Sequence, residues 1–109
     1  MNQSQKVKIV VFVPETHTKI VRDEMGKAGA GKIGNYSFCN FSSKGVGRFK
    51  PEVGSSPMIG KVGNLEEVIE ERIEVSCERS IVKDVIEAMK RVHPYDEVAF
   101  DIYPLESLE

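Results

Sequence analysis

Residues 81–94, IVKDVIEAMKRVHP, contain the clearest element of the sequence. Apolar side chains recur at helical spacing and form one wide stripe: Ile81, Val82, Val85, Ile86, Met89 and Val92. Charged side chains occupy the opposite face: Lys83, Asp84, Glu87 and Lys90. Lys90, Arg91 and His93 place positive charge at the carbonyl end, and Pro94 prevents continuation. The stretch therefore predicts an amphipathic helix that packs one face on a core.

The segments on either side of this helix predict strands. Residues 71–77 alternate apolar and polar side chains, and Ala99–Tyr103 forms a second short run that ends at Pro104. Residues 65–70 fit two patterns equally well. Asn64 and Glu67 imitate a helix capping box, whereas the alternation of 71–77 also extends back through the segment.

The first half of the chain predicts a strand, a helix and a second strand. Val7–Val13 is a β-branched run typical of a central strand, and helical spacing begins at Thr16 and ends before Gly29. Ile33–Ser43 is rich in aromatic residues and predicts a strand. Residues 44–63 hold five glycines and two prolines, which predict a long mobile loop.

The resulting order is βαββαβ. It predicts an α+β, ferredoxin-like sandwich in which one antiparallel sheet carries two helices on one face. We expect a single domain over residues 1–109, structured from about 7 to 105. The uncovered sheet face, expected to be apolar, predicts self-association.

Composition excludes several classes of protein. The 109 residues are 40% hydrophobic and carry a net charge of −2, which suits one soluble domain and disfavours a nucleic-acid binder. No apolar run approaches the ~20 residues of a membrane span, and no signal peptide is recognisable, so we expect a cytoplasmic protein. The two cysteines, Cys39 and Cys77, are expected to be buried free thiols.

Two segments could bind an anion. Gly29–Tyr36 is glycine-rich and contains Lys32, but phosphate sites normally follow a strand and open a helix, and the reversed order here favours a tight helix-to-strand turn. In the predicted loop, three cations lie among glycines, where they could close over a phosphate or carboxylate or simply be solvated: Lys44, Arg48 and Lys50.

Two segments contain histidine. His93–Glu97 (HPYDE) offers an imidazole, a phenol and two carboxylates for proton transfer or a metal, or else it only caps the helix and fixes a turn. His17 near the first helix could join His93 and a thiol around a metal, although the spacing is not diagnostic. The acidic run at 66–71 is expected to be a solvated face.

Four segments together resemble one known family. They are VKIVVFVPETH (7–17), GAGKIGNYSFCNFSSKGVGRFKP (29–51), GSSPMIGKVGNLEEVIEERIEV (54–75) and HPYDEVAFDIYPL (93–105). This combination resembles the PII-like or CutA-like inserted domain of the YqfO group of Nif-three-like (Ngg-interacting factor three) proteins. HPYDEVAF also resembles a segment of CutA, the divalent-cation tolerance proteins. The resemblance implies a ferredoxin-like trimer and a strand from about Glu67 to Cys77.

The resemblance does not extend to an activity. Larger members carry a dinuclear metal centre in the two halves that flank the inserted domain, and no residue of the 109 matches its ligands. We therefore expect a non-catalytic PII/CutA-like regulatory or ligand-binding module without a cofactor. Its expected partners are copies of itself, a small anionic ligand or a protein, without nucleic acid or membrane.

The expected ligand site lies where the Gly29–Tyr36 turn, the 44–50 loop and His93–Glu97 meet within or across subunits. Its predicted residues are Lys32, Gly34, Asn35, Tyr36, Arg48, Lys50, His93 and Tyr95. One alternative is a CutA-like protein that binds copper or zinc, with His17 and His93 as candidate ligands. A second alternative is an interaction module that acts in trans with a metal-centre partner.

Overall fold

A four-stranded antiparallel sheet with two helices on one face forms the fold, as seen in a computed structural model that describes residues 5–108. The ends of the predicted domain, residues 1–4 and 109, lie outside the described residues. The strands and helices are β1 (Lys6–Pro14), α1 (Thr18–Lys27), β2 (Phe41–Phe49), β3 (Glu66–Glu78), α2 (Val82–Val92) and β4 (Phe100–Pro104). Short 3-10 turns over Glu15–His17 and Arg79–Ile81 lead into the two helices. The predicted βαββαβ order and ferredoxin-like fold class are confirmed.

The sheet is longer on the side of β2 and β3, where the hairpin that these two strands form extends past the end of β1. The strand order is β2-β3-β1-β4, and β1 pairs with β3 from Lys6↔Glu78 to Pro14↔Glu70. Among the described strands β2 pairs only with β3, and that pairing continues to Phe49↔Glu66. The end of the β2–β3 hairpin therefore projects beyond the last residue of β1.

The core lies between the sheet and the two helices. Alternate residues of β1 and β3 face the helices and are buried: Val7, Ile9, Val11, Val13, Ile73, Val75 and Cys77. α1 contributes Val21 and Met25, and α2 contributes Val85 and Met89. Burial of these apolar side chains is the main source of stability in a domain of this size. The apolar stripe predicted over residues 81–92 is the face of α2 that packs on this core.

The opposite face of the sheet is a mixed polar and aromatic surface. Glu74 lies within 3.6 Å of the Lys8 ammonium and 3.5 Å of the Arg72 guanidinium. The Arg72 guanidinium also stacks over the Phe12 ring at 5.8 Å. We call this surface the open face. The sequence analysis expected this face to be apolar. It is not, because most Ile and Val side chains of β1 and β3 point toward the helices.

Two predicted boundaries in the first half of the chain are wrong. The second strand lies at Phe41–Phe49, not at Ile33–Ser43, so the predicted loop at 44–63 loses its first six residues to β2. Residues 33–36 instead form a tight turn in which Ile33 and Tyr36 exchange backbone hydrogen bonds, with Gly31 and Gly34 at positive φ. Pairing with β3 outweighs the weak strand propensity of Gly45 and Gly47.

The remaining elements agree with the sequence. β1, β4 and both helices lie within two residues of their predicted ends. Residues 66–70 of the ambiguous segment belong to β3, in agreement with the strand that the family resemblance implies, and Leu65 lies just before it. Both cysteines are free thiols, but only Cys77 is buried, because Cys39 lies in the irregular segment that precedes β2.

Candidate functional site

A groove of about 680 Å³ opens where the β2–β3 hairpin passes the end of β1. Its walls are the end of β2, the first part of the connection between β2 and β3, and the segment that follows α2. Apolar side chains line much of it, including Phe12, Phe49, Pro51 and Met58. We call this cavity the hairpin groove. Its volume lies within the range of small-molecule sites, roughly 300–1,000 Å³.

A buried carboxylate lies in the hairpin groove. Glu70, on β3, is only 7% exposed, and the Tyr95 hydroxyl donates a hydrogen bond of 2.9 Å to its Oε2. Gly47, on the neighbouring strand, packs directly against the Glu70 carboxylate, so a side chain at this position would overlap the carboxylate. The glycine of β2 thus makes the space that the buried acid occupies.

Tyr95 joins the two walls of the groove. Its ring lies 5.9 Å from that of Phe49 and 5.1 Å from that of His93, tilted to both. Burial raises the pKa of the Tyr95 hydroxyl, and the hydrogen bond to Glu70 raises it further, because ionisation would place two negative charges together. The hydroxyl is therefore held as a donor.

His93 ties the end of α2 to the top of β1. Its Nδ1 accepts the Tyr95 backbone N–H at 3.1 Å, so the proton is on Nε2, which donates to the Phe12 carbonyl at 2.8 Å. Burial lowers the pKa of the imidazole, although the Phe12 carbonyl opposes that shift. Both ring nitrogens thus serve to position Tyr95, in agreement with the simpler interpretation of the HPYDE segment.

Two of the three predicted cations of the second segment, Arg48 and Lys50, line the groove, and all three are engaged in ion pairs. Arg48 contacts Glu67 at 2.6 Å and Lys50 contacts Glu52 at 3.4 Å. Lys44 lies near Glu15, at 3.7 Å, on the helix side of the sheet.

Across the groove, Asp96 accepts the Ser56 backbone N–H at 2.9 Å, which ties the β2–β3 connection to the segment after α2.

The glycine-rich turn lies at the other end of the sheet. The Gly31 N–H donates to the Ser76 carbonyl at 2.7 Å, near the start of β1, whereas the groove lies beyond the end of β1. Four predicted site residues are exposed there and do not line the groove: Lys32, Gly34, Asn35 and Tyr36. Within one chain the structure therefore brings together Arg48, Lys50 and Tyr95 at the groove, with His93 directly behind Tyr95.

The candidate metal ligands do not form a cluster. Among residues 5–108 no group of three or more His, Cys, Asp or Glu side chains is arranged to hold a metal ion. His17 Nδ1 lies 2.8 Å from the Thr16 hydroxyl, and the two nitrogens of His93 have the partners given above.

Glu70 is the buried polar residue of the groove that the sequence analysis missed, and the apolar lining was not predicted either. It belongs to the acidic run expected to be solvated, and Glu67 of the same run is indeed exposed. The register of β3 places Glu70 opposite Gly45 and next to Gly47, on the open face. A strand interpretation of residues 66–71 together with glycines on the partner strand was the only sequence signal that could have identified it.

No protein-family model matches the chain. Sequence relatives are nevertheless close: it is 56% identical over 98 residues to the GTP cyclohydrolase 1 type 2 homolog of Halalkalibacterium halodurans and 54% identical over 99 residues to that of Bacillus subtilis. These matches cover 90% and 91% of this chain but 26% of each relative. The chain thus spans about a quarter of the length of the curated relatives it matches.

Solved structures also include a NIF3-related protein, and others share the fold. A Bacillus cereus protein related to NIF3 superposes with a TM-score of 0.84 at 48% identity, covering 98% of this chain and 27% of that one. CutA from Archaeoglobus fulgidus (TM-score 0.67, 18% identity, 94% and 85% coverage) and the Bacillus subtilis GlnK–ATP complex (0.61, 17%, 94% and 84%) share the fold. None of the helices in residues 5–108 has the length and apolar character needed to cross a membrane. The chain is a domain of the CutA-like and PII-like fold, homologous to a segment of the NIF3-related proteins.

Proposed function

We propose that this domain is a non-catalytic regulatory module that binds a small ligand in the hairpin groove. The observation that carries the proposal is the groove itself, in which apolar walls surround one buried polar pair, Glu70 and Tyr95. A concave, mostly apolar site with few fixed polar groups is typical of ligand recognition. One neighbour that shares the fold is described as a complex with ATP, which supports the use of such a fold for ligand binding.

The chemistry of the groove supports binding rather than catalysis. The pKa of Tyr95 is raised, so its hydroxyl stays protonated and is a poor acid near neutral pH. The His93 nitrogens are occupied by backbone groups and serve positioning. Tyr95 and His93, the two described residues whose pKa shifts could suit acid–base chemistry in the groove, are thus held as fixed hydrogen-bonding groups.

We further propose that the domain assembles as a homotrimer through its open face. Phe41 (67% exposed) and Tyr103 (43% exposed) lie on this face, beside the Lys8–Glu74–Arg72 ion pairs. A surface that mixes exposed aromatic side chains with charges is typical of a protein–protein interface.

A thermal-shift screen tests the ligand proposal directly. Nucleotides, inorganic phosphate, amines and small metabolites would be added singly to the wild-type protein, and each hit would be mapped by NMR chemical shifts. Binding to the folded state raises the melting temperature as concentration exceeds the dissociation constant. We expect at least one hit that shifts resonances of Phe49 and Met58. A complete absence of hits at saturating concentrations would contradict the proposal.

A further inference from the structure

The charges of the hairpin groove indicate which class of ligand it takes. Both cations of its wall are already paired, Arg48 with Glu67 and Lys50 with Glu52. Within residues 5–108, three acidic groups of the lining have no ion-pair partner: Glu70, Asp96 and Glu97. The groove is therefore electronegative, and an anionic ligand would be repelled from it.

Of these three carboxylates, Glu70 would attract a cation most strongly, because it is the least exposed to water. A carboxylate has about four positions at which it can accept a hydrogen bond. The only side-chain donor that the described residues give Glu70 is the Tyr95 hydroxyl. Burial of a charge is costly unless a countercharge or further donors compensate it. A cationic N–H group that enters the groove would supply both.

The walls beside Glu70 suit the rest of such a ligand. The Phe49 and Tyr95 rings meet at 60° and form an apolar corner, with Phe12 and Met58 nearby in the lining. Aromatic faces attract organic cations and also bury apolar groups. A volume of about 680 Å³ leaves room for a body much larger than a metal ion.

We propose that the hairpin groove binds an organic cation, an amine or guanidine with an aliphatic or aromatic body, whose charged head contacts the Glu70 carboxylate. This inference rests on the proposed function, since it names the ligand class of the same groove. Its apolar body lies against Phe49 and Tyr95. The pair of Glu70 and Tyr95 sets the specificity for positive charge.

The test compares ligands that differ only in charge. Matched sets of amine, alcohol and carboxylate on the same body (2-phenylethylamine, 2-phenylethanol and phenylacetate, with benzyl and cyclohexyl analogues) would be titrated into the full chain and followed by NMR. We expect the amines to shift groove resonances and to bind at least tenfold more tightly than the alcohols. The carboxylates should bind more weakly still.

Glu70→Gln tests the role of the carboxylate, because glutamine keeps the shape and can still accept the Tyr95 hydrogen bond. Loss of a hydrogen bond to a charged group predicts a decrease in amine affinity of roughly 10- to 100-fold. Glu87→Gln, an exposed change on α2, is the matched control and should leave the affinity unchanged. Melting curves of both variants would verify that each is folded.

Three results would overturn the inference. One is binding of the carboxylates as tight as that of the amines, and another is an amine affinity unaffected by Glu70→Gln. Either of these leaves the proposed function intact, because a ligand still occupies the groove. The third is an absence of binding by every amine in the series. If the broader thermal-shift screen also yields no groove ligand, the proposed function fails as well.

Discussion

One hydrogen bond, from the Tyr95 hydroxyl to Glu70, connects the segment after α2 to the centre of β3. The two residues are 25 positions apart: Glu70 is one of the polar residues of β3, and Tyr95 lies between α2 and β4. His93 holds Tyr95 in place by accepting its backbone N–H. The position of the Glu70 carboxylate in the groove therefore depends on Tyr95, and the position of Tyr95 depends on His93.

Tyr95→Phe should destabilise the protein by removing the donor to Glu70. A buried acceptor left without its partner costs about 1–2 kcal/mol here, since the neighbouring groove admits some water. Urea unfolding would measure the change in the free energy of unfolding. Tyr36→Phe is the matched control, because the Tyr36 side chain is 75% exposed, and should change stability by less than about 0.5 kcal/mol. Equal stabilities of the two variants would contradict the role given to the bond.

His93 predicts a pH dependence of stability. Its pKa in the folded protein lies below the ordinary value of 6.5 because the ring is buried. As the pH falls below about 6.5, the unfolded chain binds a proton before the folded one does, so the free energy of unfolding decreases. The loss continues down to the folded-state pKa. Above pH 7 this contribution is constant.

The pH dependence is measured by urea unfolding at several pH values between 5 and 8. His93→Gln should flatten the curve through this window, since glutamine can still donate to the Phe12 carbonyl without titrating. His17→Gln is the comparison variant: it removes a neighbouring charge that contributes little to the lowered pKa of His93, so most of the slope should remain. A wild-type slope that persists in His93→Gln would assign the proton to another group.

At the scale of elements, β2 shapes the groove because one of its residues, Gly47, has no side chain. Gly47 packs against the Glu70 carboxylate, whereas Gly45, two residues earlier on the same face, has open space around it. Gly47→Ala should push Glu70 away from Tyr95 and destabilise the protein by about 1–3 kcal/mol. Gly45→Ala, in the same strand, should be neutral or slightly stabilising, because alanine reduces the entropy of the unfolded chain.

Urea unfolding of the two alanine variants, with amine titrations of each, would separate them. A loss of stability confined to Gly47→Ala supports the close approach of β2 to Glu70. Equal effects at both positions would show instead that only strand propensity changed.

The same strand marks the limit of prediction from the sequence. β1 and α2 are recognisable because their apolar period reports burial in the core, as Val11 and Met89 illustrate. β2 is an edge strand whose residues pack little against the helices, so it carries no such period, and its glycines imitate a loop. Tyr95 and Arg48 could be identified as polar groups near turns, but Glu70 required the register of β3, which depends on a partner strand distant in sequence.

At the scale of the whole molecule, the hairpin gives the domain an elongated shape of 49 × 30 × 22 Å. Its far part extends beyond β1, and Val46 and Ile69 on its helix side remain nearly half exposed. The extended hairpin leaves apolar side chains exposed, and the open face leaves aromatic side chains exposed, as at Phe41 and Tyr103. Both features are explained if neighbouring copies pack against them.

The proposed trimer predicts a solution mass of three chains by size-exclusion chromatography with light scattering. Phe41→Glu should shift that mass toward the monomer, because it places a charge at an exposed aromatic position of the open face, and burying a charge without a partner in an interface is costly. Ile33→Glu is the matched control: Ile33 is 55% exposed but lies in the turn outside the sheet, so the trimer should persist. A monomeric wild type at every concentration would contradict the trimer. A trimer insensitive to Phe41→Glu would place the interface on a different surface, with the hairpin as the next element to substitute.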